Sequence, residues 1–209
     1  MPERRSALAA VCRPGDFGAQ PDEPGLEIRE VAGRDLVQFA GWPDNFKTVA
    51  ARLGDALEAA IPERFGVASV TGDKRLFLLA PERLWIVAPD GDGLGKRLAA
   101  AFTAEEGVVT ELGHSRTVLR VSGRAARKVL AKGLPVDLDS RVFPSQAFAQ
   151  SAIHHISLLI HRVDTGLEGG DDAAPAFELY VARGFAVSFW DWLTEAATEP
   201  GYRVTAPAA

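Results

Sequence analysis

Apolar residues recur along this chain with two different periods, and the switches between them predict the elements. Short apolar and β-branched runs at 26–31 and 36–39 read as strands. Phe46, Val49, Leu53 and Leu57 then repeat at helical spacing until Pro62, with Asp44 or Asn45 in the position of a cap. Strands are expected at 67–70, 76–80 and 84–88, and the turn signals Gly72-Asp73 and Pro81-Glu82 between them imply a meander. A helix over 94–102 and strands at 108–112 and 117–121 follow. Ser122 stands where a cap would precede a helix over 124–132, which Gly133 and Pro135 terminate. The last third predicts strands at 148–153, 157–163 and 177–181, with residues 166–175 (GLEGGDDAAP) as an exposed, flexible connection. A final helix places Phe185, Phe189, Trp192, Leu193 and Ala196 on one core-facing stripe. Pro200 and Gly201 end it, leaving 202–205 as a short strand.

Residues 1–25 break this regularity. Pro14, Gly15, Gly18, Pro21, Pro24 and Gly25 interrupt any period, so the segment reads as an extended arm preceding one domain over 26–209. Within that domain LFLLAPERLWIVA, ending at Ala88, echoes LLIHRV plus FELYVA, ending at Ala182, and each runs into a helix. The order of elements therefore suggests pseudo-repeat lobes of about 26–105 and 106–206. Most connections between strands are too short for repeated parallel crossovers. The expected fold class is α+β, with two intertwined lobes, mainly antiparallel sheets and packed helices.

Composition narrows the function. At 209 residues and 47% hydrophobic, the chain can bury a real core. A net charge of -5 and a pI near 5.4 argue against a general phosphate-backbone binder, so no nucleic-acid partner is expected. Arg124, Arg127, Lys128 and Lys132 line up on one helix, where they read as a solvated face. Cys12 is the single cysteine, which rules out an internal disulfide or a cysteine cage and fits a reducing compartment. The apolar stretch 7–11 is too short for a signal-peptide core, and no run of about 18 apolar residues suggests a membrane span. The expected location is cytoplasmic.

Residues with chemical potential do not assemble into a known constellation. On a strand, the adjacent His154 and His155 would point to opposite faces and could not chelate one ion together. His161, also on a strand, and His114, in a turn beside Arg116, read as local hydrogen-bonding residues. No HExxH spacing, GxSxG elbow or GxGxxG fingerprint is present. DGDGLG at 90–95 lacks the Lys-Ser/Thr of a phosphate loop, and Glu105-Glu106 and Asp171-Asp172 read as exposed loop acids. No catalytic, cofactor-binding or metal residue is expected in this chain. Trp42, before Pro43, and Trp190, off the helix stripe, are candidate contact residues for a partner.

From residue 108 onward the pattern is specific. TVLRVSG, GRAARKVLAKGLPVDLDSRVF, the FAQ and LLIHR strands and FELYVARGFAVSFWDWL together resemble the gamma subunit of heterotetrameric sarcosine oxidase. That family is similar in fold to the folate-binding domains of the glycine-cleavage T-protein group. The family pattern often has Cys before the proline of this segment and His after it, where this chain has Leu134 and Asp139. The resemblance implies a noncatalytic structural subunit, without an active site of its own, in an oxidoreductase complex acting on CH-NH bonds. Alpha, beta and delta subunits would be its partners and would hold FAD, FMN, NAD and tetrahydrofolate. Their joint reaction would demethylate sarcosine to glycine, with peroxide and a one-carbon unit on tetrahydrofolate as the other products. Alternatives are a gamma-type subunit of an N-methylglutamate dehydrogenase and a free-standing folate-binding one-carbon transfer protein.

Overall fold

The computed structural model describes residues 5–91, 93–163 and 174–207. Contacts divide the chain into an inner unit, Gly33–Gly113, and a flanking unit that joins Met1–Ala32 to His114–Ala209. The chain opens with β1 (Gly15–Phe17) and β2 (Leu26–Glu30) of the flanking unit. The inner unit then runs β3 (Arg34–Gly41), α1 (Phe46–Leu57), β4 (Ser69–Thr71), β5 (Lys74–Ala80), β6 (Arg83–Pro89), α2 (Leu94–Ala101) and β7 (Gly107–Glu111). The flanking unit resumes with β8 (Arg116–Ser122), α3 (Ala126–Leu130), β9 (Phe148–Ile153), β10 (Ile156–Val163), β11 (Ala176–Ala182), α4 (Ala186–Ala197) and β12 (Tyr202–Val204). The fold is α+β, with two sheets that are antiparallel apart from one strand pair.

Both units use the order strand, helix, three strands, helix, strand. The inner sheet runs β4-β5-β6-β3-β7, and the flanking sheet runs β9-β10-β11-β8-β2-β12-β1. β2 is wedged between β8 and β12, antiparallel to the first and parallel to the second, so β12 keeps the direction relative to β8 that β7 has relative to β3. The repeated elements thus span 34–111 and 116–204. The strand expected to open the first repeat lies in the other unit's sheet. There its alternate residues Leu26 and Ile28 are fully buried in the same cluster as Val121, Leu119 and Phe177.

Each sheet is covered by two helices. In the inner unit Val49, Leu53 and Leu57 of α1 and Leu94 and Leu98 of α2 share a core with Val37, Phe39, Leu76, Leu84 and Ile86. Burying each large side chain contributes roughly 1.5–3 kcal/mol. In the flanking unit Val129 and Leu130 of α3 and Phe189, Trp190 and Leu193 of α4 pack with the inward side chains of β2, β8, β10 and β11. Of the two tryptophans of α4, Trp190 is buried and Trp192 only partly so, the reverse of the expected stripe. Phe185 belongs to a 3-10 turn (Arg183–Phe185) and is exposed, so α4 starts one residue later and its apolar face is rotated.

The helix starts also differ from expectation. Ser122 is the last residue of β8, not a cap. Gly123 makes the corner with φ +116°, α3 begins at Ala126, and the Ala125 N–H donates to the Gly25 carbonyl at 3.0 Å. At α1 the Asn45 amide donates to the Glu105 carbonyl, 2.9 Å away, instead of capping its own helix.

Residues 5–25 dock on the flanking unit. Leu8 is fully buried in its core, and the Ser6 hydroxyl donates to Glu30 at 2.5 Å. β1 pairs with β12, Phe17 stacks on Tyr202 at 5.3 Å, and Arg203 holds Asp16 in a bidentate ion pair at 2.6 and 3.1 Å. The approach is close: a Cβ on Gly201 would lie 2.4 Å from the Gln20 carbonyl oxygen, at a φ of +70° that favours glycine.

Candidate functional site

The residues singled out from sequence scatter across the structure. His154 and His155 form the turn between β9 and β10, outside both strands, and both are exposed; His154 takes φ 53°. His155 packs edge-on against Phe185 at 6.1 Å. His161 lies on β10, fully buried, with Nε2 at 2.9 Å from the Gln146 side-chain oxygen. His114 sits in an exposed turn. Among the described residues no group of three His, Cys, Asp or Glu is arranged to hold a metal ion. Burial pushes the Cys12 thiol up, and the Glu30 carboxylate adds to the effect, so the protonated, unreactive form is favoured.

The loop acids divide. Glu106 accepts the Thr103 N–H at 3.0 Å and pairs with Arg52, which makes it a local cap. Asp171 and Asp172 lie outside the described residues, as does Asp92 of DGDGLG. The basic stripe beginning at Arg124 is tied down within the chain. Arg124 pairs with Glu23, Arg127 donates to the Leu138 carbonyl, and Lys128 and Lys132 both reach Glu199. Leu134 is buried in the flanking core. Hydrogen bonds from Arg141 hold the Asp139 carboxyl well below the usual carboxylate range, at about 2.

A cluster the sequence reading passed over lies on the other face of the flanking sheet. Residues directly opposite one another across an antiparallel sheet share a face. Arg29 of β2 opposes Arg120 of β8, Arg120 opposes Glu178 of β11, and Glu178 opposes His161 of β10. One step along, Arg203, Glu27 and Ser122 form the next row. Glu178 is almost fully buried, pairs with Arg120 at 2.8 Å and accepts the Tyr180 hydroxyl at 3.0 Å. Burying that carboxylate is tolerable because both oxygens are hydrogen-bonded and one partner is a cation. A cleft of about 470 Å³ opens over this end of the sheet, lined by Glu27, Arg29, Arg120, Ser122, Arg124 and Arg203 among others. The period-two placement of charge in LEIRE, LRVS and FELY was the available signal.

A second concavity, about 1240 Å³, lies in the inner unit between α1 and the segment around Ile61 and Pro62. Its floor is apolar with Phe46, Ala50, Ala51 and Leu78, and Lys47, Asp55 and Glu58 are among its polar residues. Exposed apolar side chains elsewhere on this unit include Phe65, Val67, Val70 and Trp42, the last of which donates its indole N–H to the Ala104 carbonyl at 2.9 Å. Among the described residues no helix is long and apolar enough to cross a membrane.

Comparison with known proteins gives this arrangement a context. A chain of the heterotetrameric sarcosine oxidase from Corynebacterium sp. U-96, solved in complex with pyrrole 2-carboxylate, superposes with a TM-score of 0.79 at 25% identity, covering 99% of both chains. The glycine cleavage system aminomethyltransferase T from Bartonella henselae shares the fold, with a TM-score of 0.55 at 19% identity over 82% of this chain and 46% of its own. In sequence, the chain is 35% identical to the sarcosine oxidase subunit gamma of an Arthrobacter species over 137 residues, 65% of this chain and 66% of that one. It is 33% identical to the same subunit of Corynebacterium sp. strain P-1 over 139 residues, 66% of this chain and 67% of that one. The first alignment therefore spans just under two thirds of the relative's length. The family model for the sarcosine oxidase gamma subunit matches residues 44–199, from the start of α1 to the end of α4, and the chain belongs to that family.

Proposed function

We propose that this chain is the noncatalytic gamma subunit of a heterotetrameric, flavin-dependent sarcosine oxidase. The observation that carries the reading is likeness along the whole chain to one subunit of such an enzyme. Two features support a structural role. Several titratable groups of the described residues, Glu106, Glu178 and His161 among them, are engaged in a local cap, an ion pair and a side-chain hydrogen bond. The inner unit also presents Trp42 and Phe65 to solvent, 47% and 58% exposed, in the manner of side chains that await a partner surface.

On this reading FAD, FMN, NAD and tetrahydrofolate are held by the alpha, beta and delta subunits, and the oxidation of sarcosine takes place there. The test is copurification of a tagged full-length chain with the products of its genomic neighbours. The expected result is a stoichiometric flavoprotein complex that forms peroxide from sarcosine, while the isolated chain forms none. A lone monomer with no flavoprotein partner would remove the proposal; a complex that oxidises its substrate without forming peroxide would point to a dehydrogenase.

A further inference from the structure

Among the described residues, the cleft on the flanking sheet holds one arginine, Arg29, that enters no ion pair. Four arginines and one glutamate are among its lining residues. Arg203 is matched by Asp16, Arg124 by Glu23 and Arg120 by Glu178. No ion pair among the described residues uses Arg29, which stands directly across the sheet from Arg120. Two like charges in opposed positions of an antiparallel pair repel each other. Arg120 is itself only partly satisfied: its Nη2 bonds Glu178, while its Nε is buried without an acceptor. Beside them Ser122 contributes a hydroxyl to the same cleft. Glu27, the acid in the lining, has one oxygen 3.2 Å from the Thr205 hydroxyl and adds its charge to the field at Arg203.

We propose that this cleft is a binding site for a compact oxyanion, a phosphoryl or carboxylate group, held by the Arg29 guanidinium with Arg120 and Ser122. A planar guanidinium presents paired N–H donors at the spacing of two oxygens on such a group, so one anion between Arg29 and Arg120 removes their repulsion and supplies acceptors. The volume of about 470 Å³ suits a small ligand or the tip of an acidic side chain. The flanking sheet supplies the rigidity such a site needs, since β2 and β8 are both paired on either edge. This site is independent of the subunit assignment and does not require partner chains.

The experiment uses the full-length chain in chloride buffer at constant ionic strength. Inorganic phosphate and succinate are titrated separately by calorimetry, and thermal melts are recorded with and without each anion. The wild-type chain is expected to give saturable heat and a raised melting temperature with at least one anion. Arg29→Ala should weaken that binding by about tenfold or more, the loss of one charged hydrogen-bonding partner. In chloride alone the same substitution should leave the melting temperature unchanged or raise it, because a repulsion has been removed. Ser122→Ala, which leaves the charges alone, should weaken binding less and leave the fold intact. Saturation by phosphate only assigns the site to phosphoryl groups, and saturation by succinate only assigns it to carboxylates. The proposal is overturned if neither anion gives saturable heat with folded wild-type protein, or if Arg29→Ala binds as tightly as wild type.

Discussion

Leu8 lies in the least patterned part of the sequence and is nevertheless fully buried, in the same cluster as Ile28 and Phe189. Truncating such a side chain removes its transfer free energy and leaves a cavity, so Leu8→Ala should cost about 2–5 kcal/mol, measured by urea unfolding. A cost near zero would show that the N-terminal segment is undocked in solution. Val11 and Cys12 follow Leu8 at helical spacing and pack against the same cluster, but the apolar stretch 7–11 is too short for a period to mark it as an element. Trp190 was hidden differently. The wheel drawn through Phe185 was rotated by a 3-10 turn that the sequence does not announce, whereas Phe189 and Leu193 were legible because both phases include them. Arg29 and Arg120 were visible as alternating charges but acquire meaning only from register, which pairs them across two strands far apart in sequence.

Among elements, the packing of α3 beside α4 has an electrostatic clasp. Lys128 and Lys132, one turn apart, both meet Glu199 just beyond α4, at 2.8 and 3.3 Å, and Lys132 also donates to the Ala196 carbonyl. Hydrogen bonds from the two lysines hold the Glu199 carboxyl below its usual value near 4.5. A depressed carboxylate stabilises the folded state above its unfolded pKa, and that contribution is lost as pH falls through the folded value. Glu199→Gln should therefore change little at neutral pH, where salt screens an exposed pair. It should flatten the decline of melting temperature from about pH 4.5 downward, the usual value for this group; an unchanged acid limb would dismiss the clasp. The lysines were legible as a stripe on one helix, but their acceptor lies 67 and more residues away and no local pattern links them.

For the molecule as a whole, the strand and helix order was readable, since alternation and helical spacing located the sheets and most helices. The division into units was not, because β2 has the same alternating pattern whichever sheet it joins. Its position makes β12, among the described residues, the one strand that bonds both β1 and β2. A chain ending at residue 201 should therefore lose more than three residues of sheet. The expected outcome is a lower melting temperature and rapid proteolysis within residues 5–25, and unchanged protease resistance would contradict it. The same wedge governs the order in which the protein can be made. The inner unit has all the strands of its sheet within residues 34–111, so that sheet needs no later part of the chain. β2 emerges before it yet must keep an apolar edge open until β8 arrives, and Asp16 waits for Arg203, 187 residues later. The flanking unit is closed by β12, so a nascent chain is incomplete as a folded object until Val204 has emerged. An interrupted product would carry an intact inner unit beside a sheet with an adhesive edge, a form suited to disposal by quality control.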